Sequence, residues 1–284
     1  MRGVALLTLS LLPLGAFAQG VSDSNSIGFE ITRAKVTDVV RNFLLSFGQT
    51  DAPELVQTAK RESPNGKFTL YDVGPYRLTV RKGLGEVVLI RNVSMLETGA
   101  PSPTAKPRFA NLEAAKKHVR DYVGREAGGW VAEDPEEMNG LYVIQERTVS
   151  GVEATRNRRN GGRPYHLFLY GLRRAGYNFP IDPVYIEVVL DAEKGDLLSY
   201  LREPQFEQTA SLNGENVSEA AALAVANKAV AGVPTHKGLG WVFSNQAWQA
   251  PAPGEEARLA WIFTFGKKQV WVDARTTKVI GGVP

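Results

Sequence analysis

The chain has 284 residues, no cysteine, and 33 lysine and arginine residues against 30 aspartate and glutamate residues. The absence of cysteine excludes disulfides, thiol catalysis and a lipid-modified cysteine at an export-processing site. The near balance of charge gives no global attraction to nucleic acid or to a membrane surface, and the length fits two or three modest domains.

The N-terminus has the pattern of a secretory signal peptide. Arg2 supplies positive charge, residues 4–17 are almost wholly apolar, and the small-x-small run Ala-Phe-Ala ends at Ala18. This apolar run is too short to span a bilayer as a mature helix. We therefore expect residues 1–18 to be cleaved, giving a secreted or periplasmic protein that begins at Gln19 and has no stable membrane insertion.

The first part of the mature chain is predicted to form a helix followed by a hairpin. Apolar residues recur at helical spacing over about 33–47, and two strand-like runs over 76–90 flank a turn at Gly85. The stretch 99–108 contains three prolines, which is typical of a stiff linker.

The central part repeats this order with a longer connection. A helix is predicted from Asn111, and strand-like runs over 141–149 and 165–172 follow it. The polar, glycine-containing run 153–163 lies between those two strands and is predicted to be the tip of a long hairpin. A second hairpin is predicted over 184–200.

The last part has the same order again. A helix is predicted from Asn216, with Glu219 three residues later as its capping-box partner. Strands are predicted over 241–243 and 259–265, and a hairpin over 268–281.

The hairpins are related by fixed offsets. Asp191 and Asp273 are 82 residues apart at matching positions, and Gly85 matches Gly195 at an offset of 110. Repeats at fixed spacing indicate a repeated scaffold. We interpret these four residues as structural, with the aspartates accepting bonds from turn amides and the glycines taking positive φ; ligand binding is the alternative.

The order of helix and strands, found three times, predicts the fold class. It indicates an α+β protein of three repeated units, each with one helix packed on a small antiparallel β-sheet. We place these units at 28–98, 109–206 and 212–284, with 99–108 as the linker between the first two.

The run 165–200 resembles the PepSY superfamily and, more narrowly, the YcdB/YcdC-type repeats related to it. It contains an apolar strand, an arginine, a glycine followed by an apolar residue and proline, and a final strand–Asp–turn–Gly–strand. The run 261–281 matches too, with Thr277 in place of the turn glycine, whereas the first unit has Arg81 at the aspartate position. The resemblance implies a helix-on-sheet fold in an exported or membrane-attached protein. It also implies a peptidase-inhibitory or regulatory role without catalytic residues.

No catalytic or metal-binding constellation stands out in the sequence. The histidines are His118, His166 and His236, each in a different local context, and no zinc motif, phosphate loop or nucleophile elbow occurs. His118 falls on the polar side of its predicted helix, where we expect it to be exposed. We predict no catalytic residue, cofactor or metal ion; a hydrolase with a site between units is the remaining enzymatic alternative.

Two surface features are candidates for binding. Arg156, Arg158, Arg159 and Arg163 place four guanidinium groups within eight residues of the predicted hairpin tip. They either solubilise a mobile loop or bind a polyanion, since the arginine fork fits phosphate and carboxylate groups. Trp248 stands among polar residues and is the tryptophan that we expect to be exposed.

These observations predict an exported, non-catalytic binding protein whose partner is another exported protein. The most concrete version, implied by the resemblance, is the regulation of an extracytoplasmic peptidase. The alternative is a protein that binds a cell-envelope polyanion through the arginines of residues 156–163. No nucleic-acid partner is expected.

Overall fold

The structure is a computed structural model. It describes residues 33–49, 54–64, 66–82, 87–97, 99–100, 102, 106–126, 131–132, 140–157, 159–179, 184–203, 209–244 and 256–283. The predicted signal peptide, Gly85, Arg158 and Trp248 lie outside these residues. Within them, every helix is too short or too polar to cross a membrane.

The described residues form five helices and fourteen strands. The helices are α1 (Arg33–Ser46), α2 (Val93–Glu97), α3 (Leu112–Glu126), α4 (Gly151–Asn157) and α5 (Glu219–Ala229), and a short 3-10 turn spans Arg159–Gly162. The strands are β1 (Gln57–Glu62), β2 (Phe68–Val73), β3 (Tyr76–Arg81), β4 (Val87–Asn92), β5 (Val131–Ala132), β6 (Gly140–Val149), β7 (Tyr165–Arg174), β8 (Tyr177–Asn178), β9 (Ile186–Asp191), β10 (Leu197–Arg202), β11 (His236–Val242), β12 (Arg258–Phe265), β13 (Lys268–Asp273) and β14 (Val279–Val283).

In the described part of the chain, the strands form two sheets. The large sheet has the order β1-β2-β3-β4-β10-β9-β7-β6-β5, with β8 paired to β7, and the small sheet has the order β11-β12-β13-β14. All strand pairs are antiparallel except β5–β6. The prediction of three units, each a helix on its own small sheet, is therefore wrong. Strands from the first two predicted units belong to one continuous sheet, in which β4 pairs with β10.

The helices also depart from the predicted arrangement, because α1 and α3 share one core on the same face of the large sheet. The ring of Phe47, the residue after α1, lies 4.4 Å from that of Tyr122 in α3, measured between centroids. Phe43 lies 4.8 Å from Tyr200 of β10, so helix α1 packs on a strand of the second predicted unit. Edge-to-face aromatic contacts of this kind stabilise the joint core beyond the burial of apolar area.

The small sheet has its own helix. Ala222 and Ala226 of α5 are fully buried and pack on Phe263 and on the valines of β13. Their small side chains let the helix lie close to the sheet. The small sheet contacts the large one where the indole Nε1 of Trp241 donates to the carbonyl oxygen of Arg174 at 2.8 Å.

The starts of α3 and α5 follow from local capping. Asn111 accepts a hydrogen bond from the amide of Ala114 at 2.9 Å, as expected for the residue before α3. Helix α5 is capped by Ser218, whose hydroxyl accepts from the amide of Ala221. The predicted start at Asn216 is thus wrong by two residues.

Candidate functional site

The turn between β9 and β10 is closed by Asp191. Its Oδ1 accepts hydrogen bonds from the amides of Glu193 at 3.0 Å and Lys194 at 2.6 Å. Gly195 has φ +78°, and a Cβ at this position would lie 2.7 Å from a ring carbon of Phe109. Glycine is needed here both for the backbone conformation and for the space taken by Phe109.

The turn between β13 and β14 has the same hydrogen bonds. Asp273 Oδ1 accepts from the amides of Arg275 at 2.8 Å and Thr276 at 2.9 Å. Thr277 occupies the position of the turn glycine and has φ +53°, which is unusual for a β-branched residue. The counterpart in the first hairpin, Gly85, lies outside the described residues.

The connection between β6 and β7 is folded onto the protein. It joins two strands that pair antiparallel along their whole length, so the predicted long hairpin is confirmed, and its tip contains α4 and the 3-10 turn. Asn160 anchors it: this residue is buried, has φ +57°, and donates its side-chain Nδ2 to Asp191 Oδ2 at 2.7 Å and to the carbonyl oxygen of Pro164 at 3.1 Å.

The predicted basic surface is not brought together as four exposed arginines. Arg163 is half-buried and donates to the carbonyl oxygen of Ala100 at 2.6 Å. Arg156 is exposed on α4. The side chain of Arg159 and the whole of Arg158 lie outside the described residues. Among the described side chains of the predicted basic surface, Arg156 is therefore the exposed one.

The three histidines lie in separate places. His118 is half-buried, with its ring centroid 5.3 Å from that of Phe109, and burial lowers its pKa; the expectation that it is exposed is therefore wrong. His166 is buried with its Nδ1 2.9 Å from the hydroxyl of Thr148, and burial lowers its pKa as well. His236 is exposed. No group of histidine and acidic side chains in the described ranges is arranged to hold a metal ion.

A row of half-exposed side chains crosses the face of the large sheet opposite α1 and α3. Strand register places its seven members directly side by side on seven adjacent strands. We call this set the leucine row; in sheet order its members are Leu70, Thr79, Leu89, Leu201, Glu187, Leu169 and Gln145.

The composition of the leucine row is unusual for an outward sheet face. Residues that lie opposite each other on adjacent strands point to the same face, and their chain neighbours point to the other. Those neighbours, such as Ile90, Tyr200 and Val188, are buried under the helices. An antiparallel sheet that faces water on one side normally carries polar residues there. Four leucines out of seven make this row more apolar than a solvated sheet face.

Helices α2 and α4 cover the part of this face beside the leucine row. Met95 and Leu96 from α2 and Ala154 from α4 form a buried cluster with Leu167 and Val189 of the sheet. Leu169 of the leucine row packs against this cluster. The leucine row remains half-exposed alongside these helices.

A groove of about 370 Å³ lies at one end of the leucine row. Leu167 and Leu169 form its floor, and its walls carry the ion pair of Arg147 with Glu153, at 2.7 Å between Nη1 and Oε2, together with Glu187. The guanidinium of Arg147 lowers the pKa of Glu153. The Nε of Arg147 is buried and has no acceptor among the described residues.

The leucine row is not among the sites predicted from the sequence, although a signal for it exists. Strand β4 begins Val-Val-Leu-Ile, and β7 contains Leu-Phe-Leu, without the polar alternation of a half-solvated strand. Continuous apolar runs are typical of strands that are covered on both faces. On β4 and β7, the residues that neighbour Leu89 and Leu169 are apolar because helices cover them. Leu89 and Leu169 themselves lie on the opposite face of the sheet, in the leucine row.

Comparisons with known proteins give only distant structural similarity. No family model and no curated protein matches the chain. Among solved structures, the chain is similar to the Bacillus megaterium YpeB C-terminal domain, with 11% sequence identity and a TM-score of 0.39. The match covers 86% of this chain and 95% of that one. A similarity at this level carries no conclusion about fold or function.

Proposed function

We propose that the protein is an exported, non-catalytic binding protein that docks another exported protein on the leucine row. The observation that carries this proposal is the set of four half-exposed leucines aligned by strand register on one face of the large sheet. Docking needs no catalytic group, cofactor or metal ion of the protein's own.

The resemblance of residues 165–200 to PepSY modules supports a class of partner. Such modules are associated with the inhibition or regulation of extracytoplasmic peptidases, and the signal-peptide pattern at residues 1–18 would bring the protein to that compartment. We therefore propose a PepSY-like regulator whose partner is a co-exported peptidase.

The chemistry of the surface favours a partner with an apolar patch. The leucines are already half-buried, so docking removes only their remaining exposed apolar area from water, which contributes roughly 25 cal/mol per Å². The groove beside the row adds charges of both signs in fixed positions, from Arg147, Glu153 and Glu187. Fixed charges at the rim of an apolar contact mainly set specificity and orientation.

The test uses the double variant Leu89→Glu/Leu169→Glu and the matched control Leu45→Glu. Leu45 is 48% exposed on α1, on the opposite side of the large sheet. The mature protein is immobilised and exposed to an envelope extract of its source, and the eluate is assayed for hydrolysis of a fluorogenic peptide. We expect wild type and Leu45→Glu to retain a peptidase, and the double variant to lose at least about 100-fold in affinity for it.

The purified peptidase is then assayed with stoichiometric wild-type protein, which should change its rate. Equal capture and equal regulation by the double variant would show that the leucine row is not the docking site. Peptide hydrolysis by the immobilised protein itself, lost in the triple variant His118→Ala/His166→Ala/His236→Ala, would instead support an enzyme.

A further inference from the structure

The paired strands of three hairpins share the same irregularity at the same position. In β3–β4, β9–β10 and β13–β14, the second residue of the last strand is a β-bulge without a partner: Val88, Leu198 and Ile280. These bulges are separated by 110 and 82 residues, the same offsets as in the sequence repeat. Strands β4, β10 and β14 are therefore equivalent position by position.

Two of these equivalent strands pair with each other around a local two-fold axis. Tyr200 of β10 lies opposite Ile90 of β4, which is its own equivalent at the offset of 110. Ser199 lies opposite Arg91, and the equivalents of these two residues, Leu89 and Leu201, also lie opposite each other. The outer edge of one last strand is thus complementary to the outer edge of another.

The equivalent strand of the third hairpin, β14, has no such neighbour in the described part of the chain. Strand β14 is at the end of the small sheet and pairs only with β13. It consists of valine, isoleucine and glycine, whereas β1 at the edge of the large sheet carries Lys60, Arg61 and Glu62. Charged residues protect an edge against pairing, and β14 lacks them.

We propose that two copies of this chain associate by antiparallel pairing of β14 with β14. The β4–β10 pairing gives the register: Gly282, the equivalent of Tyr200 at the offset of 82, lies on the two-fold axis, and Gly281 of one copy lies opposite Val283 of the other. An edge that meets itself must avoid like charges, and Val279–Val283 contains none. The two small sheets then form one sheet of eight strands.

The contact between two short strands is small, so the dimer is weak. Interfaces below about 1,200 Å² belong to transient complexes, and we expect a dissociation constant above about 1 µM. The association is independent of the leucine row, which lies on the large sheet.

Sedimentation equilibrium of the mature protein from about 1 µM to about 1 mM tests the association. The matched variants are Val283→Lys, which brings two ammonium groups close to the proposed axis, and Val233→Lys, at a loop position that is 88% exposed. We expect wild type and Val233→Lys to dimerise, and the dissociation constant of Val283→Lys to rise at least tenfold. A monomer at every concentration, as expected if β14 pairs with a different protein, overturns the proposal.

If circular dichroism shows that Val283→Lys is unfolded, a cross-linking measurement tests the proposal instead. The chain has no cysteine, so Val283→Cys introduces a single thiol. In the proposed register the two Cα atoms of residue 283 are about 8 Å apart, from the strand spacing and rise. A short bismaleimide should join Val283→Cys chains and leave Val233→Cys chains largely monomeric. Equal yields from the two variants overturn the proposed register and interface.

Discussion

The side-chain amide of Asn160 donates to Asp191 Oδ2 at 2.7 Å and joins the β6–β7 connection to the turn after β9. The other carboxylate oxygen of Asp191 caps its own turn, so one residue holds two segments. At the equivalent Asp273, Oδ2 faces Arg258 Nη1 at 3.6 Å beside a cleft of about 440 Å³. The second role of Asp191 is therefore specific to the central part of the chain.

Asn160→Gly tests this anchor. Glycine retains the positive φ of residue 160 and removes only the side chain, which leaves a buried carboxylate oxygen without its donor. An unsatisfied buried polar group costs about 1–3 kcal/mol, and we expect that loss in the free energy of unfolding by urea. Asn213→Gly, at an exposed site, is the control and should change stability by less than about 0.5 kcal/mol. Equal losses from the two variants would contradict the anchoring role.

The arginines of the same segment should separate into two classes. Arg163→Ser removes a hydrogen bond to the carbonyl oxygen of Ala100 and should lower the melting temperature, whereas Arg156→Ser should leave it unchanged. Heparin chromatography tests the polyanion alternative with the same variants. That alternative requires Arg156→Ser to elute at lower salt than wild type, because phosphate and sulfate contacts depend on exposed cations. Elution of Arg156→Ser together with wild type would show that Arg156 takes no part in polyanion binding.

The two equivalent turns predict opposite effects of substitution. Gly195→Val should destabilise the protein by more than about 2 kcal/mol, since it forces positive φ on a β-branched residue and places Cβ against Phe109. Thr277→Gly should stabilise it by up to about 1 kcal/mol, because relief of strain at φ +53° exceeds the added entropy of the unfolded chain. Thermal unfolding measures both. Destabilisation by Thr277→Gly would mean that the hydroxyl bond to the carbonyl oxygen of Thr276 outweighs the strain.

Local features could be predicted from the sequence, and long-range pairing could not. Helices α1, α3 and α5 lie where the apolar spacing predicts them, because that spacing reflects one buried face per helix. The antiparallel hairpins ending in β10 and β14 follow from strand runs around short turns. The pairing of β4 with β10 joins two strand edges that are 110 residues apart in sequence, and no local pattern predicts this pairing.

The leucine row could not be predicted from the sequence for the same reason. Leu89 and Leu169 are ordinary strand residues when each strand is taken alone. They become members of one surface only through the register of intervening strands, including the β4–β10 pair that joins the sheet. The β6–β7 connection is held on the protein by long-range hydrogen bonds from Asn160 to Asp191 and from Arg163 to Ala100, which spacing along the chain does not reveal.

The half-buried His118 and the buried His166 predict a loss of stability in acid. Burial lowers the pKa of both His118 and His166 in the folded protein, while the unfolded value is about 6.5. Below that pH the unfolded chain binds more protons than the folded one, so the free energy of unfolding falls as pH decreases from 7 to 5. His118→Phe and His166→Phe should each flatten this dependence, and His236→Phe, at an exposed site, should not. Identical pH profiles for all three variants would contradict the assignment.

A buried ion pair connects the predicted linker to the first and second predicted units, which lie on either side of it in the sequence. Asp196 is fully buried, accepts from Arg108 Nε at 2.9 Å, and also accepts from the Ser102 hydroxyl and from Gln49 Nε2 at 3.3 Å. Burial raises the pKa of the neighbouring Tyr76 to about 12, so its phenol remains protonated beside this carboxylate at neutral pH. The network ties Ser102 and Arg108 to Gln49, after the end of α1, and to Asp196, before the start of β10.

Arg108→Met should therefore be among the most destabilising single changes in this chain. It leaves the charge of Asp196 buried without its cation, which costs about 3–5 kcal/mol. Lys82→Met is the matched control, because Lys82 pairs with Glu62 at 2.8 Å on the surface and such pairs contribute less than about 1 kcal/mol. Urea denaturation compares the two, and Arg108→Met/Asp196→Asn should recover part of the loss, since it removes the uncompensated charge. If Arg108→Met is no more destabilising than Lys82→Met, water reaches Asp196 and the linker is not held by this pair.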